Sequence, residues 1–95
     1  MTHSVLLHEP DDDVGVAVMD LKAGDQAGLK TLEGQEVGEI RVTQDVPLGH
    51  KIAVKDIASG KNVVEYGRAI GRATAAIPCG GHVHVQNLRT LRWNI

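Results

Sequence analysis

Short runs of alternating or wholly apolar residues, each closed by a turn signature, recur along the chain. The run from Ser4 to His8 reads as a first strand, and Glu9-Pro10-Asp11-Asp12-Asp13 stops it, because proline cannot continue a ladder and aspartates favour tight turns. A triple aspartate can also hold a hard cation through its carboxylate oxygens, but this one lacks the glycine and distal glutamate of an EF-hand loop, so a solvated hairpin turn is expected. Val14 to Val18 resumes the extended pattern, with Gly15 marking a bulge or a close backbone approach. Leu29 to Leu32, Val37 to Val42, His50 to Val54 and Asn62 to Tyr66 give further strands. Arg68 to Ile77 is rich in small residues, and Gly71 favours a kinked strand over a helix there. A single short helical turn, around Asp56 to Ser59, is the most helix the pattern allows.

One signature repeats four times. Leu21 to Gly24 is followed by Ala27, Val46 to Gly49 by Ile52, Ile57 to Gly60 by Val63, and Ile77 to Gly80 by Val83. In each copy an apolar residue precedes glycine by three places and a second apolar residue by six. Each copy reads as a turn between strands, with glycine supplying a positive φ and, in two copies, Pro47 or Pro78 supplying the first corner. The spacing between copies is irregular, which excludes a solenoid of fixed period. The pattern therefore predicts one compact all-β domain over residues 1–95, its edges closed by barrel-like or clip-like coiling.

Composition narrows the possibilities. With 95 residues, no Phe, and Tyr66 and Trp93 as the only Tyr and Trp, the core must be built from Val, Ile, Leu and Ala. A net charge of -2 and few aromatics argue against nucleic acid, which rewards basic surface and stacking platforms. No apolar run is long enough to span a bilayer and no leader-like segment opens the chain, so a cytoplasmic protein is expected. Cys79 is the only cysteine and sits without a CxxC partner, as a half-buried thiol.

Candidate chemistry gathers on histidine. In an extended His82-Val83-His84-Val85-Gln86-Asn87, the residues His82, His84 and Gln86 share one face and the valines the other. Paired imidazoles on a strand face suit a divalent metal or acid–base work, although the same face is more often merely solvated. The second and fourth turn units both carry histidine just beyond the glycine. His50 is therefore expected to approach His82 or His84. Lys51 can serve as a base or a carboxylate-binding cation, unless alternation turns it to the opposite face. Tyr66 is either a hydrogen-bonding group at a binding edge or the largest core residue; Asn87 is either a turn residue or a ligand-orienting amide. His3 and His8 make no obvious pair. Nucleophile-elbow, P-loop and GxGxxG patterns are absent.

The succession DDVGVAVMDLKAG, VPLGHKIAVKDIASGKNVVEYGRAIGRATAAI and GGHVHVQN resembles the SAF-type N-terminal domain of the altronate and galactarate dehydratase family. The tail NLRTLRW resembles that of the family's small subunits, the alpha subunit of sulfolactate sulfo-lyase among them. The resemblance covers essentially the whole chain. It implies a β-clip fold accompanying a much larger catalytic domain, either fused or as a separate subunit. It also implies elimination chemistry: metal-assisted dehydration of a sugar acid, or loss of sulfite from sulfolactate, with iron or manganese shared between the subunits.

Carried over by residue, the family's GHK falls on Gly49, His50 and Lys51, its YG on Tyr66 and Gly67, and its HVH on His82, Val83 and His84. The implied roles are catalytic for His50 and Lys51, metal-binding for His82 and His84, and substrate-binding for Tyr66, Gln86 and Asn87. Gln86 departs from the family pattern, which has a third histidine there; an amide can still make a hydrogen bond. The expected partners are a large lyase subunit and a small anionic hydroxy acid. The alternatives are a free-standing binding module for such an acid and a purely structural subunit, since fold alone does not fix function.

Overall fold

A computed structural model describes residues 3–90, the side chain of His3 excepted. Every element among them is a strand. These are β1 (His3–Leu7), β2 (Val14–Ala17), β3 (Gln26–Thr31), β4 (Glu36–Arg41), β5 (Lys51–Ala53), β6 (Asn62–Glu65), β7 (Arg68–Ala73), β8 (His82–Val83) and β9 (Leu88–Thr90). They form a six-stranded sheet in the order β4-β3-β1-β2-β5-β8 and a three-stranded sheet in the order β6-β7-β9. Only β1 and β3 run parallel; every other pairing is antiparallel. No helix among the described residues is long and apolar enough to cross a membrane. Trp93 lies outside the described residues.

The repeated signature organises the fold. All four turn glycines, Gly24, Gly49, Gly60 and Gly80, have positive φ, and the apolar residues that follow each by three places, Ala27, Ile52, Val63 and Val83, are all buried. The apolar residues that open the units pair with one another: Leu21 bridges Val46 and Ile57 bridges Ile77, each through two reciprocal backbone hydrogen bonds of 2.8–2.9 Å. Where a helical turn was allowed, around Asp56 to Ser59, the backbone makes this bridge and a β-turn instead. The structure also lengthens the signature by one residue. Asp20, Asp45 and Asp56, immediately before three of the four bridging residues, accept hydrogen bonds from the backbone N–H groups of Leu48, Ala23 and Cys79 in the paired unit. The fourth unit has Ala76 in that place and makes no such bond.

Gly80 is the tightest of these turns. A Cβ there would lie 2.0 Å from the carbonyl oxygen of Arg41, on top of a φ of +88°. Gly15 is a close approach as expected, because a Cβ would meet Val5 and the carbonyl of Leu6 at 2.6 and 2.8 Å.

Two apolar clusters result. Val5, Leu7, Leu21, Leu29, Val46 and Ile52 anchor one, and Val14, Ile57, Val63, Ile77 and Val83 the other. Cys79 packs half-buried against the first, and burial, then the nearby Asp56 carboxylate, raises its thiol pKa. It is a poor nucleophile.

One expectation that fails is the solvated aspartate turn. Asp12 and Asp13 are buried, at 0 and 3 % exposure. Asp12 accepts hydrogen bonds from the N–H groups of Glu9, Tyr66 and Gly67 at 3.0–3.1 Å. Asp13 accepts from Val64 N–H at 2.9 Å and from Lys61 Nζ at 3.3 Å, with Lys55 Nζ at 4.0 Å. Its backbone bridges both ways, receiving Val54 N–H and donating to the carbonyl of Val64. Turn chemistry alone points aspartate to water; here backbone donors of the second sheet, far along the chain, out-compete water. Removing a buried carboxylate that satisfies several donors costs roughly 3 kcal/mol. Asp12→Ala is therefore expected to lose about that much in urea denaturation, and near-wild-type stability would show that its three donors find other acceptors.

Candidate functional site

The antiparallel register of β5 and β8 builds the histidine cluster. Lys51 opposes Val83 and Ile52 opposes His82, so one further step places His50 opposite His84, and alternation puts His82 on the same face as His84. The expected approach of His50 is observed: its Nδ1 lies 2.9 Å from Nε2 of His82. The three rings lie with centroids 4.8–5.6 Å apart and planes within 29° of parallel.

The strand expected to run from His82 to Asn87 does not. It ends at Val83, and residues 84–87 form a turn into β9. The reason is Asn87, whose side-chain oxygen accepts from His84 N–H at 3.0 Å while its amide nitrogen donates to the carbonyl of His82 at 2.8 Å. Both polar ends of Asn87 are thus engaged in shaping the chain that carries the histidines.

Gln86 reaches the cluster by this turn. Its side-chain amide nitrogen lies 3.3 Å from Nδ1 of His82, so the orientation of that amide and the tautomer of His82 are coupled. Gln44, which no motif marks, accepts the backbone N–H of His82 at 3.0 Å. Burial, then the neighbouring His50 and His84, depress the pKa of His82, which favours the neutral, ligating imidazole.

The donor set fits a divalent cation. One ligand atom from each of His50, His82 and His84 lies within 4.8 Å of the others. Two imidazole nitrogens bound to one ion at about 2.1 Å and at right angles stand about 3 Å apart, the separation His50 and His82 already have. Imidazole donors without a carboxylate suit zinc or iron better than manganese. Beside the cluster lies a cavity of about 380 Å³ lined by His50, Lys51, Val83, His84, Val85 and Leu88, among others.

Lys51 lines that cavity too but finds its charge partner outside the cluster, and Tyr66 does not line it. Alternation turns Lys51 away from His50, and its Nζ lies 3.9 Å from Oε1 of Glu65. Tyr66 is half-exposed rather than a core residue, has a φ of 61° in the two-residue turn it makes with Gly67, and rests its ring on His8 with centroids 3.9 Å apart. A left-handed tyrosine in a turn that favours Asn-Gly is a strained choice. Lys51, Glu65, Tyr66 and Arg68 together line a second cavity, of about 630 Å³, on the other side of Lys51 from the histidines.

Glu65 is the residue sequence reasoning passed over. It is wholly buried, and neither carboxylate oxygen has a hydrogen-bond partner. The signal was present, because in Asn62-Val63-Val64-Glu65 alternation sets Glu65 on the same inward face as Val63. Burial raises its pKa above 4.5, against the lowering effect of Lys51 and His8 and with a small raising effect from Asp12. Arg68, its cross-strand neighbour, is exposed. A carboxyl whose pKa is raised on folding binds its proton more tightly in the native state, so it costs stability as pH rises above 4.5. Glu65→Gln is isosteric and carries no charge. Its stability relative to wild type is expected to rise from pH 4 to pH 8 in paired urea titrations; a constant or falling difference would show that Lys51 holds the carboxylate ionised throughout.

Residues 3–91 match the family described as the altronate/galactarate dehydratase SAF domain. The chain is 35% identical over 94 residues to (2R)-sulfolactate sulfo-lyase subunit alpha of Chromohalobacter salexigens, covering 98% of this chain and 100% of that protein. It is also 46% identical over 79 residues to altronate dehydratase of Escherichia coli, which covers 83% of this chain but 15% of that protein. Altronate dehydratase of Bacillus subtilis is 34% identical over 90 residues, 95% of this chain and 17% of its own.

Proposed function

Because this chain belongs to the altronate/galactarate dehydratase SAF-domain family, we propose that it is the small subunit of a two-component lyase, its histidine cluster forming one wall of an active site completed by a large catalytic subunit. The supporting observation is the convergence of His50 with His82 and His84, 32 and 34 residues further along, in a chain matched end to end by a lyase alpha subunit. The substrate is a small anionic hydroxy acid, and the leaving group is sulfite or water. The full-length match to a sulfolactate lyase subunit favours sulfite.

His50, His82 and His84 would hold a divalent cation, zinc or iron by the character of the donors. Bound there, such an ion supplies a Lewis acid that polarises substrate oxygens and stabilises the enolate left when the α-proton departs. The chain's own residues prepare that site. Gln86 contacts Nδ1 of His82, Gln44 and Asn87 fix the backbone on either side of it, and the depressed His82 pKa favours its neutral ring. Leu48 and Val85, at 60 and 82 % exposure, flank the cluster in sequence and give it an apolar rim for the partner subunit to cover.

The test is to co-express the chain with a large subunit and measure sulfite release from sulfolactate and dehydration of altronate. Changing both His82 and His84 to Ala is expected to cost on the order of 100-fold in turnover and to abolish the visible spectrum of cobalt(II) bound to the purified chain. Undiminished turnover with weakened assembly would select the purely structural reading. Tight binding of the acid by the chain alone, with no turnover in any complex, would select the binding module.

A further inference from the structure

The cavity floored by Glu65 is not part of the histidine site. Its walls combine three kinds of surface: the buried Glu65 carboxyl, the Lys51 ammonium and Arg68 guanidinium, and the apolar faces of Ile70 and Leu88. Glu65 is 0 % exposed, its oxygens accept no hydrogen bond, and Lys51 at 3.9 Å is beyond hydrogen-bonding distance. A buried carboxyl left without donors is costly, and at a cavity wall an incoming group that draws the Lys51 side chain aside can supply what the chain does not.

Charge decides which group. Lys51 and Arg68 at the same cavity repel a lysine or arginine from a partner protein and attract an anion. Glu65 requires an O–H or N–H donor. One molecule meets both demands if it carries an anionic group and a hydroxyl on a short carbon skeleton, the skeleton lying on Ile70 and Leu88. Lys51 and Leu88 also line the cavity beside the histidines, so the two cavities share a wall.

We propose that this second cavity is a hydroxyl-reading subsite for a small anionic hydroxy acid, in which Glu65 hydrogen-bonds the ligand hydroxyl while Lys51 and Arg68 hold its anionic groups. The choice of a hydroxy acid rests on the lyase reading above; the donor requirement of Glu65 does not. Specificity follows from the physics of the floor. A ligand lacking the hydroxyl leaves Glu65 buried and unpaired, and such sites discriminate strongly against the missing group.

The experiment titrates the ¹⁵N-labelled full chain, without metal, with (2R)-sulfolactate and separately with 3-sulfopropionate, which lacks only the hydroxyl. Saturable shifts are expected at the amides of Glu65, Tyr66, Arg68 and Ile70, with the hydroxy acid bound roughly tenfold or more tighter. In Glu65→Leu, whose spectrum must remain that of a folded chain, the two ligands should bind alike. Glu65→Gln, which keeps an accepting oxygen, should retain part of the preference.

Equal affinities in the wild type, shifts confined to His50 and residues 82–86, or no binding up to roughly 50 mM would each overturn the subsite. So would Glu65→Leu leaving acid binding unchanged while abolishing co-purification with the large subunit, which would assign the cavity to a partner's side chain. Turnover by the two-subunit enzyme without shifts at Glu65 removes this proposal and leaves the lyase reading intact. Shifts at Glu65 in a chain whose complexes show no lyase activity do the reverse.

Discussion

Two buried aspartates hold this fold together. Asp12 and Asp13 sit at the end of the loop between the first two strands of the large sheet, yet their carboxylates and backbone bond the β6–β7 hairpin of the small one. A buried carboxylate is stable only where several donors converge on it, and a strand end and a hairpin turn present such donors. The clamp therefore fixes the second sheet against the first with directional bonds, which a core of Val, Ile, Leu and Ala does not provide by itself. It also sets the hairpin turn of Tyr66 and Gly67, and with it Glu65 and Arg68 on either flank.

The four turn units form the second layer of constraint. They pair, first with second and third with fourth, through bridges between their opening residues, and three of the four resulting turns are pinned by an aspartate from the partner unit. This pairing carries the functional consequence. Because the second and fourth units lead into the neighbouring strands β5 and β8, the histidines that follow their glycines meet at one sheet edge. The bulkless, left-handed backbone at Gly80 brings that segment against the carbonyl of Arg41.

The polar groups then divide between two neighbouring cavities with different electrostatics. On one side, three imidazoles gather with no carboxylate among them. On the other, a buried carboxyl faces a lysine and an arginine. Lys51 stands between them, and strand alternation gives it to the carboxyl.

Much of this was legible in the chain. The period-two runs, the four apolar-to-glycine turns and the approach of His50 to His82 follow from side-chain alternation and positive-φ glycine, which are local physics. The end of the histidine strand at Val83 was not legible, because Asn87 can extend a strand or close a turn, and the carbonyl of His82 decides. The burial of Asp12 and Asp13 was decided by tertiary structure alone, and so was the want of a hydrogen-bond partner for Glu65, whose inward face alternation had already marked. Whether an acidic side chain meets water or protein donors depends on what lies across the molecule: for Asp13, the N–H of Val64, 51 residues away in sequence; for Glu65, a cavity without a donor in reach. Sequence fixes the periodicity of a strand; only packing fixes the dielectric and the partners that a charge encounters.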